Sequence, residues 1–168
     1  MEIWDGYNAD GTLAGVDLIR GEKIPKGLYH LVCEILVRHV DGDYLLMQRD
    51  FNKEGYPGYF EATAGGSALK GEDKLACAKR ELFEETGIAS EDFEEIGRSM
   101  SHNTIYYVFF SVTDCDKDTI TLQEGETVSF KWLCEKDFAD FVNSEEMIDV
   151  QRKRLDGYLR KKGYVKEN

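Results

Sequence analysis

Long apolar runs are missing from this chain: no stretch approaches the roughly 20 residues that a helix needs to span a bilayer. A helical membrane protein is therefore not expected. The first residues, MEIWDGYNADG, are acidic and lack the basic-then-apolar layout of a secretory leader. Histidine is scarce, at three residues, and the four cysteines (Cys33, Cys77, Cys115 and Cys134) stand far apart with no CxxC pair. A zinc site is not expected on that spacing, and the cysteines read as reduced, mostly buried thiols of a cytoplasmic protein. Internal repeats and low-complexity segments are also absent. Basic residues are in the minority, 21 against 33 acidic ones, for a net charge of −12. Such a body repels nucleic-acid backbones and anionic membranes at long range, so neither is expected as a partner.

What is present fits one domain over residues 1–168, with enough length for a sizeable core and the 42% apolar, 32% charged balance of a globular protein. Residues 1–28 read as an N-terminal hairpin extension. Glu2 to Tyr7 and Thr12 to Leu18 are strand-like runs around Asn8-Ala9-Asp10-Gly11, whose Asp-Gly pair marks a tight turn. His30 to Arg38 reads as a buried strand with Tyr44 to Arg49 as its partner, and Phe60 to Thr63 as a short strand. Phe93 to Met100 and Thr104 to Thr113 follow as two strands of a meander, and Ile105 to Phe110 is strongly β-prone. Asp114 to Glu126 is acidic and polar and is expected to be a mobile loop. Thr127 to Leu133 is a further strand and Glu135 to Val142 a short helix. Residues 144–168 are a C-terminal helix and basic tail. Asn143 or Ser144 is the expected cap, and Ile148, Leu155 and Leu159 an apolar line. The tail's Arg152, Lys153, Arg154, Arg160, Lys161, Lys162 and Lys166 read as a solvated face, and alternatively as the contact of a homodimer or an acidic partner.

The stretch from Gly66 to Ile88, GSALKGEDKLACAKRELFEETGI, has a helical second half from about Glu72 to Thr86. Leu75, Ala78 and Leu82 make an apolar stripe, and Gly87 stands where a left-handed residue ends the helix. Glu81, Glu84 and Glu85 fall at i, i+3 and i+4 and share one face. Like charges at that spacing repel by roughly 0.2–0.5 kcal/mol per pair. Glu84 and Glu85 also sit at the negative end of the helix dipole, which costs roughly 0.3–1 kcal/mol more. The pattern fits either a solvated acidic face or a site for a hard divalent cation, Mg²⁺ or Mn²⁺. A metal would also reverse the local field for an anionic substrate.

Gly66, five residues, Glu72, seven residues, then Arg80-Glu81-Leu82-Phe83-Glu84-Glu85-Thr86-Gly87-Ile88 resembles the Nudix box, G-x5-E-x7-R-E-U-x-E-E-x-G-U with U a bulky aliphatic residue, without a mismatch. Weaker resemblance runs over most of the chain: LVCEILVRHVDGDYLLMQRD looks like the opening strands of a Nudix domain, and Trp132-Leu133 like a common family ending. The N-terminal layout resembles the subgroup related to isopentenyl-diphosphate isomerase.

The resemblance implies an α/β fold: an α/β/α sandwich with a mixed sheet, the box helix on one face and later helices on the other. It implies metal-dependent hydrolysis of a diphosphate linkage in a small molecule of nucleoside-diphosphate type. Glu81 and Glu85 are the first metal ligands expected, then Glu84, with a carbonyl near Gly66. Arg80 orients these carboxylates. Glu84 or Glu81 within the box, or Glu124 and Glu126 outside it, are candidates for the catalytic base. Glu72 is assigned to structure, with metal contact as the alternative. Arg49 is a candidate phosphate contact or a strand-end arginine paired with an acid; the aromatics of Ile105 to Phe110 read as core in preference to a base-stacking platform, with Tyr106 or Tyr107 a candidate lining of the substrate pocket. Two other readings stand beside hydrolysis. His30 resembles a metal-binding histidine of the isomerase, but no cysteine lies between Phe51 and Leu75, where that enzyme has its catalytic one near Gly65, and Ser67 replaces a histidine. His30 is therefore read as a core or strand-end residue. A non-catalytic nucleotide sensor would commonly have lost box carboxylates, and this chain keeps them all.

Overall fold

The computed structural model, which describes residues 1–165, opens with a hairpin: β1 (Ile3–Tyr7) and β2 (Leu13–Ile19) pair antiparallel in a sheet of their own. Gly11, at φ 86°, makes the turn that the Asp-Gly pair predicts. The hairpin is docked on the body by Trp4, stacked on the His30 ring at 4.3 Å, and by the Lys70 N–H, which donates to the Ile3 carbonyl at 2.9 Å.

The main sheet has seven strands: β3 (His30–His39), β4 (Tyr44–Arg49), β5 (Phe60–Glu61), β6 (Thr63–Ser67), β7 (Glu94–Ser101), β8 (Thr104–Thr113) and β9 (Thr127–Leu133). It is mixed, with β3 parallel to β8 along its whole length and antiparallel to β6 from Val32 to Leu36. The expected pairing of β3 with β4 holds only at Arg38 and Tyr44, because β6 occupies that edge of β3; β4 pairs along its length with β9. β3 reads as a nearly continuous apolar run because both of its faces are covered. Leu31, Cys33, Ile35 and Val37 face α1 (Lys74–Thr86), while Leu36 faces α2 (Glu135–Val142) and α3 (Asp149–Lys161). The α/β/α sandwich is thus present, with the box helix alone on its face.

Local departures from the sequence reading have local causes. α1 begins after Asp73, whose carboxylate accepts the Ala76 N–H at 2.8 Å, so Glu72 precedes the cap and does not start the helix. That register turns Leu75 outward, at 43% exposure, and gives its place in the stripe to Cys77 beside Ala78 and Leu82. Asn143 and Ser144 finish α2 and do not start α3. The Asn143 amide donates to the Ala139 and Tyr164 carbonyls, and α3 starts after Ile148. Ile148, Leu155 and Leu159 are buried as expected. In the acidic loop, Ile120 is buried in the α1-side core and the Thr121 N–H donates to the Thr86 carbonyl at 2.9 Å. Cys33 and Cys77 are buried, Cys115 is half-buried and Cys134 exposed, and all four are free.

The basic tail is only partly a solvated face. Arg154 reaches the buried Glu34 on β3 at 2.8 Å and lies 4.1 Å over the Tyr106 ring. Arg152 donates to the Val142 and Ser144 carbonyls. Lys166 lies outside the described residues. Burial pushes the Glu34 carboxyl up and Arg154 opposes it. Arg154→Met should therefore lower unfolding free energy in urea by about 3–5 kcal/mol, because it strands a buried charge. The double variant Glu34→Leu/Arg154→Met should recover most of that loss. A double variant as unstable as the single one would show that α3 is held by something other than this pair.

Candidate active site

Arg80 is the hub of the box. Its Nε and Nη2 donate to the two Glu72 oxygens at 2.6 and 3.0 Å, and its Nη1 to Glu81 at 2.7 Å and Glu84 at 3.1 Å. Nη2 also donates to the Ser67 carbonyl at 2.9 Å. Five bonds are as many as a guanidinium has N–H groups. The Glu72 bonds push the Arg80 pKa up, and the remaining donors fix Glu81 and Glu84. Burial alone would raise Glu72, but Arg80 and the Leu69 N–H outweigh it and hold the carboxyl below its ordinary range.

The two glycines of β6 let strand and helix approach closely. A Cβ on Gly65 would stand 2.0 Å from the Cys33 carbonyl oxygen, and one on Gly66 would stand 2.7 Å from the Glu81 carboxylate. Neither has a positive φ, so space and not conformational freedom demands glycine here. The Gly65 N–H donates to Glu85 Oε2 at 3.0 Å, and the Gly66 carbonyl accepts the Cys77 thiol at 3.5 Å. Burial pushes Glu85 up to about 8 against the Gly65 bond, with the charges of Glu61, Glu81 and Glu126 adding to the rise. Burial also raises Glu81, and Arg80 opposes it.

These groups line a cleft of about 460 Å³. Of the residues singled out in the sequence, Arg49, Gly66, Arg80, Glu81, Glu84, Glu85 and Glu126 meet there. Glu124 is exposed outside the lining. Tyr106 faces the α3 side of the sheet beneath Arg154, and Tyr107 packs in the α1-side core; neither lines the cleft. His30 is also outside it, with Thr104 Oγ1 2.7 Å from its Nε2. The cleft adds Glu2, Arg20, Lys53 and Glu61, which the sequence reading did not single out. Arg49 Nη1 donates to Glu61 at 2.7 Å, Lys53 pairs with Glu126, and Arg20 pairs with Glu2 at 3.1 Å. These pairs join distant segments, and no local spacing announces them. Each basic residue of the cleft is paired with an acid, while among the described residues Glu85 is met by a backbone N–H alone.

The family model of the NUDIX domain matches residues 28–154. The chain belongs to the Nudix hydrolase family. An uncharacterized Nudix hydrolase of Listeria monocytogenes is 33% identical over 150 residues, covering 88% of this chain and 89% of the relative. An uncharacterized Nudix hydrolase of Escherichia coli is 34% identical over 107 residues, 63% of this chain and 59% of the relative. Among solved structures, DR0079 from Deinococcus radiodurans superposes with a TM-score of 0.72 at 16% identity, over 94% of this chain and 99% of that one. A MutT protein from Methanosarcina mazei gives 0.63 at 22% identity, over 80% and 95%. At such identities the two structures speak for the Nudix fold alone.

Among the described residues, no three histidine, cysteine or carboxylate groups converge at metal-binding spacing; the Arg80 guanidinium stands among Glu72, Glu81 and Glu84 instead. The donor set nevertheless fits a hard divalent cation. It is all oxygen, and the Nudix-box residue Glu85 is a half-buried carboxylate with no basic partner among the described residues. Protons and metal should compete for it. With its folded pKa raised to about 8 from an ordinary 4.5, Glu85 binds its proton more tightly in the folded state. Its contribution to stability is therefore full below the ordinary value and is lost as pH rises through about 8. In the presence of a chelator, Glu85→Gln should gain melting temperature relative to the parent chain as pH rises through that window. An unchanged difference in melting temperature between pH 5 and pH 9 would show that the carboxyl is not perturbed in this way.

Proposed function

We propose that the chain is a Mg²⁺- or Mn²⁺-dependent hydrolase of a small molecule in which a diphosphate links a nucleoside or related group to a second group. The observation that carries this reading is the meeting, in one cleft, of Glu81, Glu84 and Glu85 with Arg49, Lys53 and Arg80 on an unbroken family box. Glu81 and Glu85 would hold the cation, Glu84 next, and the Gly66 carbonyl beside them. When bound, the cation neutralises the diphosphate and the charge that develops on it as the bond breaks. Arg80 keeps the carboxylates oriented through bonds that lock Glu81 and Glu84 to Glu72. Arg49, already on Glu61 and on the Gly55 carbonyl, is a rigid point of positive charge for a phosphate oxygen. Glu84 and Glu126 border the cleft as candidate bases, and Glu124 would have to be carried in with its loop. No cysteine lines the cleft among the described residues, which speaks against the isomerase chemistry. Four free thiols fit a reducing, cytoplasmic setting.

A phosphate-release screen with Mg²⁺ and Mn²⁺ over nucleotide sugars, dinucleotides, nucleoside triphosphates, coenzyme A and prenyl diphosphates tests the reading. Turnover is expected with at least one diphosphate. Glu81→Gln and Glu85→Gln should lose both metal affinity in calorimetry and activity. Glu81→Gln with parental metal affinity and no turnover would make Glu81 the base and overturn the ligand assignment.

A further inference from the structure

The box accounts for the cation and its orientation, but not for what receives the proton of the attacking water. Every carboxylate bordering the cleft, Glu61 included, has at least one oxygen engaged. Glu81 and Glu84 accept from Arg80, Glu126 is paired with Lys53, and Glu2 accepts from Trp4 and Arg20. Glu85 accepts from the Gly65 N–H and is taken above as a metal ligand.

Glu61, on β5 and outside the box, is paired with a cleft arginine as Glu2, Glu81 and Glu84 are, and is held in addition by a buried side chain of α3. Its Oε1 accepts from Arg49 Nη1 at 2.7 Å and from the side-chain amide of Gln151 at 3.3 Å. Gln151 sits on α3 and is itself buried, and its Oε1 accepts the Ala62 N–H at 3.1 Å. That bond settles which end of the amide faces Glu61: the acceptor is used by the backbone, so the NH₂ end is turned to the carboxylate. With Oε1 held from two sides the carboxylate plane is fixed. No hydrogen bond to Oε2 is made by the described residues, while the side chain lines the cleft.

We propose that Glu61 is the carboxylate that takes the proton of the attacking water, and that Gln151 is the positioning residue that holds it for that role. The proposal rests on the hydrolase reading above. In the step, the water oxygen forms a new bond to one phosphorus and an O–H bond of the water breaks. The proton passes to Glu61 Oε2. The bond from that phosphorus to the bridging oxygen breaks, and its electron pair leaves on the second phosphate. Glu61 then returns the proton to solvent. The helix layer on the far side of the sheet thus reaches the chemistry through one buried amide.

The test uses the full chain, Mg²⁺ and a diphosphate that the parent chain turns over, with kcat, KM, Mg²⁺ affinity by calorimetry and melting temperature read for each variant. Glu61→Gln should lose about 10²-fold or more in kcat while keeping its fold and its Mg²⁺ affinity. Gln151→Met should lower kcat about tenfold with KM unchanged, and Glu61→Gln/Gln151→Met should be no slower than Glu61→Gln alone, because residues acting through one group are not additive. A merely structural Gln151 would give additive losses. Gln151→Met also strips the Ala62 N–H of its acceptor, so if it does not fold, Glu61→Gln decides alone. Near-parental turnover in Glu61→Gln, or loss of Mg²⁺ affinity together with turnover, would overturn the proposal and leave the hydrolase reading standing. A parent chain inactive on the whole panel would overturn both.

Discussion

The closeness of β6 to α1 is the constraint on which the site depends. It crowds carboxylates into a seam that only glycine can line, since a side chain at Gly65 would collide with the neighbouring strand and one at Gly66 with Glu81. Bringing acids together out of water is unfavourable, and the structure offsets it in two ways. Arg80 spends all its donors on Glu72, Glu81, Glu84 and the Ser67 carbonyl. Among the described residues Glu85 receives only the Gly65 N–H, and its raised pKa is the part of the cost left uncompensated. In the proposed reading a divalent cation would take up that remainder, in a protein whose net charge of −12 would otherwise repel an anionic substrate.

Three layers are used unequally. The α1 side carries the box. The α2 and α3 side would be a cover for the sheet were it not for two polar side chains of α3. Arg154 ties the helix to Glu34 in the middle strand, and Gln151 ties it to β5. The first is a matter of stability, since a buried carboxylate needs its cation. The second sets the orientation of a carboxylate in the cleft. The N-terminal hairpin contributes at the other side, where Glu2 and Arg20 border the same space. Residues from both ends of the chain therefore close around the central motif.

Local chemistry was legible in the sequence wherever the signal is periodic or a cap. Thr104–Thr113, Thr127–Leu133 and Glu135–Val142 stand where alternation and amphipathicity place them, and Gly87 ends α1 at φ 78°. The box residues converge because they share one helix face, a relation fixed by 3.6 residues per turn whatever surrounds it. Pattern alone did not place the start of α1, because Glu72 and Asp73 are both acceptable near a helix N-terminus and only the Asp73 side chain reaches the Ala76 N–H.

Strand order was decided by the tertiary structure, and with it everything that depends on which segments become neighbours. Tyr106 stands in a row of aromatics that reads as core with the substrate pocket as the alternative, and a period of two and the sheet's two covers turn it toward Arg154. β4 leaves β3 for β9 because β6 takes the place beside β3, and that brings Arg49 next to Glu61. Gln151 and Glu61 are 90 positions apart and meet only because α3 packs across that sheet. By itself, the sequence determined the carboxylate-bearing helix and the glycines beside it, since these relations are made within a few residues. The partners of those carboxylates came from the fold, because a hydrogen bond across the molecule depends on which elements lie side by side.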